Sequence, residues 1–397
     1  MFRSAQHDIV RIGRSNYLMP ASRLASSDDC RGEATMDFPV RPEELTPVWL
    51  TAALRAAGAI DTARVVSCQV GPLAEKQGFY GQVVRVIPIY DRAEAGAPSA
   101  LIAKFASIVP EMRKRAVPAY VREVRFYQQV ADRTSLPVPD CYFAGIDIET
   151  GLHLLLLEDM APARSGSRVR GCTPAQAELA IRAIAEFHAF WWENPQLSEF
   201  DWLENGSSDP DADTQQAQHE RWWPEFLRRA GHRVPDPIRE IGERLGPRRA
   251  AIRRHVFGSP PQTLIHHDFQ LDNLVFGDPE GSEAFAVLDW QLASCGRGTW
   301  DAAYFLSENL TEEANQAAGM DLLRLYWQVL TDHGVQGYGF NQCLLDFRYC
   351  LLQRFSALIS TIAAMPFSEE QRRLHVDVLL PRNSAAILDS RAGDLLE

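Results

Sequence analysis

The chain has 397 residues, 46% hydrophobic and 23% charged, with a formal net charge of −12. Such a length asks for two lobes or domains rather than one core, the composition is that of a globular protein, and the acidity excludes a nucleic-acid binder that relies on bulk positive charge. No apolar run reaches the roughly eighteen residues of a membrane span, and residues 1–16 hold no apolar stretch of a secretory signal. The seven cysteines (Cys30, Cys68, Cys141, Cys172, Cys295, Cys343 and Cys350) are scattered and form no C-x-x-C pair. A disulfide framework or structural zinc site is therefore not expected, and a reducing cytoplasm fits.

Residues 1–35 are rich in Ser, Arg, Asp and Gly without sustained periodicity, which predicts a poorly ordered extension. Met36 starts a better-patterned region and is a candidate translation start. Residues 42–58 read as an amphipathic helix with Leu45, Val48, Leu50 and Leu54 on its apolar side. Residues 64–70, 82–90 and 100–108 are short β-branched segments parted by turns and read as strands of one antiparallel sheet. Residues 118–133 read as a helix, and 141–146 and 152–157 as two further strands around the turn 147–151. Strands, one helix and more strands predict a sheet with a helix laid across it. The boundary segment is 158–170. Beyond it, helices are expected at 174–192, with Thr173 as N-cap and Pro174 in the first turn, and at 215–230, 237–257, 311–333, 340–364 and 368–380. One β-rich island, 263–292, interrupts them.

That island carries the chemistry. It runs T-L-I-H-H-D-F-Q-L-D-N-L-V-F, then a turn, then A-F-A-V-L-D-W-Q. Asp268 follows a short strand, and Asn273 ends a tight loop. A hairpin of 274–276 with 284–288 would return Asp289 to the end where Asn273 lies. Three oxygen-bearing side chains then converge. Magnesium takes hard oxygen ligands and keeps several waters, so Asn273 and Asp289 suffice for it beside nucleotide phosphates. A further carboxylate, Asp268, suits a substrate hydroxyl whose proton must be accepted. Asp and Asn also favour turns for purely local reasons. The spacing of all three together points to phosphoryl transfer.

The segment resembles the catalytic motif of the aminoglycoside phosphotransferase and choline kinase superfamily, a family similar in fold to protein kinases. H-H-D-F-Q-L-D-N resembles its H-G-D-x-x-x-x-N. V-L-D-W-Q followed by W-D-A-A-Y-F-L resembles its metal-binding Asp and the helix start downstream. The Asp-Trp-Gln ending leans towards the ecdysteroid-kinase-like and choline-kinase-like branch. His267 departs from the pattern, since the family usually has Gly there, and this bears on the width of the substrate entrance.

The resemblance implies an α+β, bilobal protein-kinase-like fold: a nucleotide-binding lobe of antiparallel sheet and one helix over residues 36–158, and a mostly helical catalytic and substrate-binding lobe over 159–397. It implies ATP and Mg²⁺, a small-molecule hydroxyl as acceptor, and a strand lysine fixed by a helix glutamate. Lys104 in L-I-A-K-F-A and Glu123 in Y-V-R-E-V-R-F-Y match those two. Glu111, beside Pro110, is the other glutamate in range and is expected to precede the helix. Gly78 and Gly81 occupy the place of a nucleotide-covering loop, either letting backbone amides approach phosphates or making a hairpin turn. Glu158 and Met160 belong to the implied hinge that meets the adenine. His266 and Asp301 are expected to hold the catalytic loop, and His188 to pack between the lobes. The tryptophan pairs 191–192 and 222–223, with Trp300 and Trp327, are core residues or a cage for a quaternary amine. The other readings are a kinase-like binding protein without turnover and a protein kinase, the latter lacking an evident A-P-E element.

Overall fold

The computed structural model describes residues 38–73, 81–203, 212–277 and 284–397. Strands β1 (Val65–Pro72), β2 (Gly81–Tyr90), β3 (Leu101–Ala106), β4 (Cys141–Asp147) and β5 (Leu152–Glu158) pair antiparallel in the order β1-β2-β3-β5-β4. Side chains alternate across such a sheet, and the two faces have different company. Ala103, Phe105, Leu154 and Leu156 share one buried cluster with Leu50 and Leu54 of helix α1 (Pro47–Ala56). Lys104 and Leu155, a paired position between β3 and β5, point to the opposite face. There Leu155 and Leu157 join Val124 and Tyr127 of helix α2 (Pro110–Gln129).

The expected helix 42–58 is divided into a 3₁₀ turn at Pro42–Glu44 and α1. Pro47 disfavours helical backbone at the residue before it, and Thr46 instead caps α1 by accepting from the Trp49 amide at 3.2 Å. Val48, read as apolar side, is 80% exposed, and Ala53 takes the buried position. Helix α2 starts eight residues earlier than 118. Pro110 occupies its first turn and Glu111 lies inside it. Pro118 is tolerated mid-helix because it and Lys114, whose carbonyl it leaves unpaired, are exposed to water.

Helix α3 (Pro174–Trp191) opens with a full capping box between Thr173 and Gln176. Helix α4 (Ala212–Ala230) follows. The expected helix 237–257 is two, α5 (Asp236–Leu245) and α6 (Arg249–Phe257), broken by a 3₁₀ turn at Gly246–Arg248 that contains Pro247. Helices α7 (Thr299–Asn309), α8 (Glu312–Asp332) and α9 (Phe340–Ala364) complete the core. The segment 368–380 becomes a short helix α10 (Glu369–Arg372) and a π-helical stretch, leading into α11 (Leu380–Asp389), a helix the sequence reading did not include. The sheet, its helix and the larger helical region form the α+β, protein-kinase-like fold. Trp191 and Trp300 are buried within the helical core, and the Trp327 indole donates to the Tyr338 carbonyl at 2.8 Å.

Candidate active site

The island 263–292 is a set of short strands. β7 (Thr263–Ile265) pairs with β10 (Ser294–Gly296), and β8 (Leu274–Phe276) lies between β6 (Arg164–Ser165) and β9 (Phe285–Val287). Leu274 faces Val287 across the hairpin, and the Leu288 amide donates to the Asn273 carbonyl at 2.8 Å. These pairings bring Asp289 back beside the loop 266–273.

The loop is held by one buried carboxylate. Asp301, in the first turn of α7, accepts from the His266 amide at 2.7 Å and from the His267 amide at 2.9 Å. His188 of α3 meets the same carboxylate at 3.1 Å through Nε2 and Tyr326 at 2.9 Å through Nδ1. His266 fixes the loop from the other side. Its Nδ1 accepts from the Asp268 amide at 3.2 Å, so Nε2 carries the proton and donates to the Leu288 carbonyl at 2.9 Å. Left-handed backbone occurs at two places of the site, His267 in the loop with φ 71° and Asp289 after β9 with φ 66°. A left-handed position explains why glycine would suit residue 267. Here the His267 ring stacks on Phe257, stands edge-on to Trp300 and bonds Ser294 Oγ at 2.8 Å. Burial holds its pKa down at about 3, so it is neutral.

Asp268 is the most heavily bonded side chain of the loop. Oδ2 accepts from Gln270 Nε2 at 2.8 Å and Asn273 Nδ2 at 2.9 Å, and Oδ1 accepts from the Tyr304 hydroxyl at 2.9 Å. Asn273 Nδ2 also donates to the Asp268 carbonyl at 3.0 Å, which leaves its amide oxygen to act as a ligand. The Arg354 guanidinium lies 3.5 Å from the Tyr304 ring centroid and pairs with the buried Glu308 at 2.7 Å. Burial, and Asp268 beside it, raise the Tyr304 pKa, keeping the phenol protonated and donating.

Across the cleft Lys104 Nζ lies 2.5 Å from Glu123 Oε1, with Glu123 fully buried. Burial disfavours the ammonium, but the carboxylates of Glu123 and Asp289 outweigh it and set the Lys104 pKa above the ordinary lysine value. Gln291 Nε2 donates to Glu123 Oε2 at 3.1 Å. Lys104, Asp268 and Asp289 line one cleft of about 340 Å³, together with Gly81, Tyr120 and His153.

The other expected site residues are distributed differently. Gly81 lines this cleft at the start of β2, where a Cβ would stand 2.2 Å from the Phe105 carbonyl oxygen. It permits the close approach of β2 to β3. Gly78 lies outside the described residues. Glu158 and Met160 are at the far end of β5 and do not line this cleft. Glu158 pairs with Leu101, and the Met160 carbonyl accepts from the Ala163 amide at 2.9 Å. The sequence reading missed Tyr304, Gln270 and Gln291. Tyr304 follows Asp301 by about one turn of α7, which sets both on one side of that helix, and Gln291 follows Asp289 by two residues, in a turn after β9 where Asp289 has left-handed backbone.

The oxygen donors present fit a hard cation such as magnesium: the Asp289 carboxylate and the Asn273 amide oxygen. Among the described residues no group of three or more His, Cys, Asp or Glu is placed to hold a metal ion. No described helix is long and apolar enough to cross a membrane.

A family model described as the phosphotransferase enzyme family matches residues 91–333. The chain belongs to this family. Among solved structures it is similar to aminoglycoside 2′-phosphotransferase-IIIa in complex with GDP, at 13% identity over 86% of this chain and 100% of that one, TM-score 0.46. It is also similar to a choline kinase from Streptococcus pneumoniae, at 12% identity over 82% and 94%, TM-score 0.43, and to a Plasmodium vivax ethanolamine kinase, at 10% identity over 82% and 83%, TM-score 0.46. Among curated proteins, a stretch of 42 residues is 55% identical to acyl-CoA dehydrogenase family member 10 of Mus musculus, spanning 11% of this chain and 4% of that protein. A stretch of 44 residues is 48% identical to family member 11 of Homo sapiens, 6% of whose length it spans.

Proposed function

We propose that this phosphotransferase moves the γ-phosphoryl group of ATP, with magnesium, to a hydroxyl of a small molecule, with Asp268 as the base. One observation carries the reading: Lys104, paired with buried Glu123, lines the same cleft as Asp268 and Asp289. A phosphoryl transfer needs positioning and charge stabilisation more than covalent chemistry. Lys104 supplies fixed positive charge for phosphate oxygens. Asn273 and Asp289 would hold magnesium, which neutralises the phosphate charge when bound. Asp268, held by three donors, orients the acceptor hydroxyl and takes its proton. Glu158 and Met160 form the hinge towards the adenine, Gly81 borders the phosphates at the start of β2, and Gly78 is assigned to nucleotide binding from its place in the sequence alone. The lobe division at residue 158 assigns nucleotide to the sheet side and acceptor to the helical side.

The Asp289-Trp290-Gln291 ending, by its resemblance alone, leans towards the ecdysteroid-kinase-like and choline-kinase-like branch. The working compartment of the reading is the cytoplasm. ATP turnover with a panel of hydroxyl-bearing metabolites tests it. The expected result is magnesium-dependent phosphorylation of one class, abolished by Asp268→Asn. Absence of nucleotide binding overturns the reading. An Asp268→Asn enzyme of unchanged rate removes Asp268 from the role of base.

A further inference from the structure

His153 is 2% exposed, and its Nδ1 is buried without a hydrogen-bond partner. A buried polar atom with no partner costs as much as a lost hydrogen bond, and most such atoms in native proteins are satisfied. The ring is not enclosed in an apolar core. It lines the cleft that holds Lys104, Asp268 and Asp289, and packs against the Tyr120 ring of α2, tilted by 34° with 4.1 Å between centroids. The Tyr120 hydroxyl in turn accepts from the Ser107 amide at 3.1 Å, so the ring pair is anchored to the chain leaving β3.

The sheet register locates this ring. Glu158, at the hinge end of β5, pairs with Leu101; Leu155 pairs with Lys104; Leu154 pairs with Phe105. His153 is the next residue out and shares a face with Leu155 and Lys104. Five residues of strand separate it from Glu158, about 17 Å at the usual rise. Lys104 lies between the two. Gly81, opposite Ala106, closes the same far end. Burial, with Lys104 nearby, holds the His153 pKa down at about 3. The ring is therefore neutral and offers one donor and one acceptor without adding charge.

We infer that His153, backed by Tyr120, is a positioning residue for the terminal phosphate of the nucleotide, at the end of the cleft beyond Lys104. This rests on the phosphotransferase reading of the site. A neutral imidazole there bonds a phosphate oxygen, or a water on it, and satisfies the orphaned ring. It acts only on a nucleotide long enough to pass Lys104, so it distinguishes triphosphate from shorter nucleotides.

The test is calorimetric titration of the full chain, in magnesium, with AMP, ADP and ATP. His153→Phe keeps an aromatic ring against Tyr120 and removes the nitrogens. Its ATP affinity is expected to fall about tenfold, the scale of one hydrogen bond to a charged group, with AMP and ADP within about twofold. Loss shared equally by all three nucleotides, or by none, overturns the inference. Ring ¹⁵N signals of His153 in the unsubstituted protein supply a readout free of any folding defect. They are expected to move on adding ATP and to stay in place with AMP. Signals unmoved by a bound ATP overturn the inference and leave the site reading intact. A protein that binds none of the three nucleotides overturns both.

Discussion

Gln291 donates to Glu123 at 3.1 Å, on the oxygen that Lys104 does not use. The two residues are 168 apart in sequence, and Gln291 follows Asp289 by two. The strand lysine is thus fixed by a glutamate that is itself fixed from the segment that carries Asp289. Gln291→Leu removes one hydrogen bond to a charged group, worth about 1.5–3 kcal/mol. Nucleotide affinity or turnover is expected to fall by about one to two orders of magnitude, with melting temperature little changed. An unchanged steady-state rate would show that Lys104 alone holds Glu123.

On the proposed chemistry Asp268 is the base and Tyr304, which donates to it at 2.9 Å, its support. Asp268→Asn is expected to lower kcat by about 10²–10⁴, the range for a lost general base. Tyr304→Phe keeps the ring beneath Arg354 and removes only the hydroxyl. A smaller loss, about tenfold in kcat, is expected there, with the KM for ATP unchanged. If Tyr304→Phe raises the KM for ATP and spares kcat, the hydroxyl serves nucleotide binding instead.

Asp301 satisfies two buried loop amides and meets His188. Asp301→Ala strands both amides, at about 1–3 kcal/mol each, and is expected to lower the denaturation midpoint strongly. Asp301→Asn keeps one acceptor oxygen and is expected to fall between. Equal stability of the three proteins in urea would mean that water replaces the carboxylate.

Gly81→Ala sets a methyl against the Phe105 carbonyl, at 2.2 Å before relaxation. Overpacking of this kind costs about 1–3 kcal/mol, and here the neighbour is backbone, which cannot rotate away. Lower stability and weaker nucleotide binding are expected together, because the displaced strand edge lines the cleft. Full affinity in a destabilised variant would restrict Gly81 to strand packing.

Asp346 predicts a response to acid. Burial works to raise its pKa, but the hydrogen bond from His255 and the charge of Arg297, with Tyr338 and Gln342 beside them, hold it below the ordinary value. A carboxyl depressed in the folded state contributes stability above its unfolded pKa of about 3.9, and that contribution is lost as pH falls through the folded value. Melting temperatures between pH 3 and 7 are expected to drop less steeply in Asp346→Asn than in the unsubstituted protein. Parallel curves would assign the acid limb to other carboxylates.

Much of the site was legible because its chemistry is local in sequence. Asp268 and Asn273 lie just before one short hairpin and Asp289 just after it, and the strand pattern around Lys104 sets which face it occupies. The residues that hold them were not legible to the same degree. Tyr304 reads as a core aromatic until α7 is placed against the loop, and His153 reads as one polar interruption of an apolar strand. Helix limits failed where proline acts two ways. Pro47 and Pro247 break helices, whereas Pro118 sits inside one because its freed carbonyl faces water. Leu380–Asp389 was missed because the π-helical stretch before it shifts the apolar spacing away from the helical period.

A carboxylate can accept about four hydrogen bonds, and Asp268 already accepts three. Gln270 and Asn273 fill Oδ2, and Tyr304 takes half of Oδ1. On the proposed chemistry a single lone pair remains, so an acceptor alcohol enters from one direction, next to the phenol. Among molecules with several hydroxyls, only one that can reach that side without its neighbours striking the Tyr304 ring is phosphorylated. Regiochemistry in this protein is then set by crowding around one oxygen atom, before any charge on the acceptor is read.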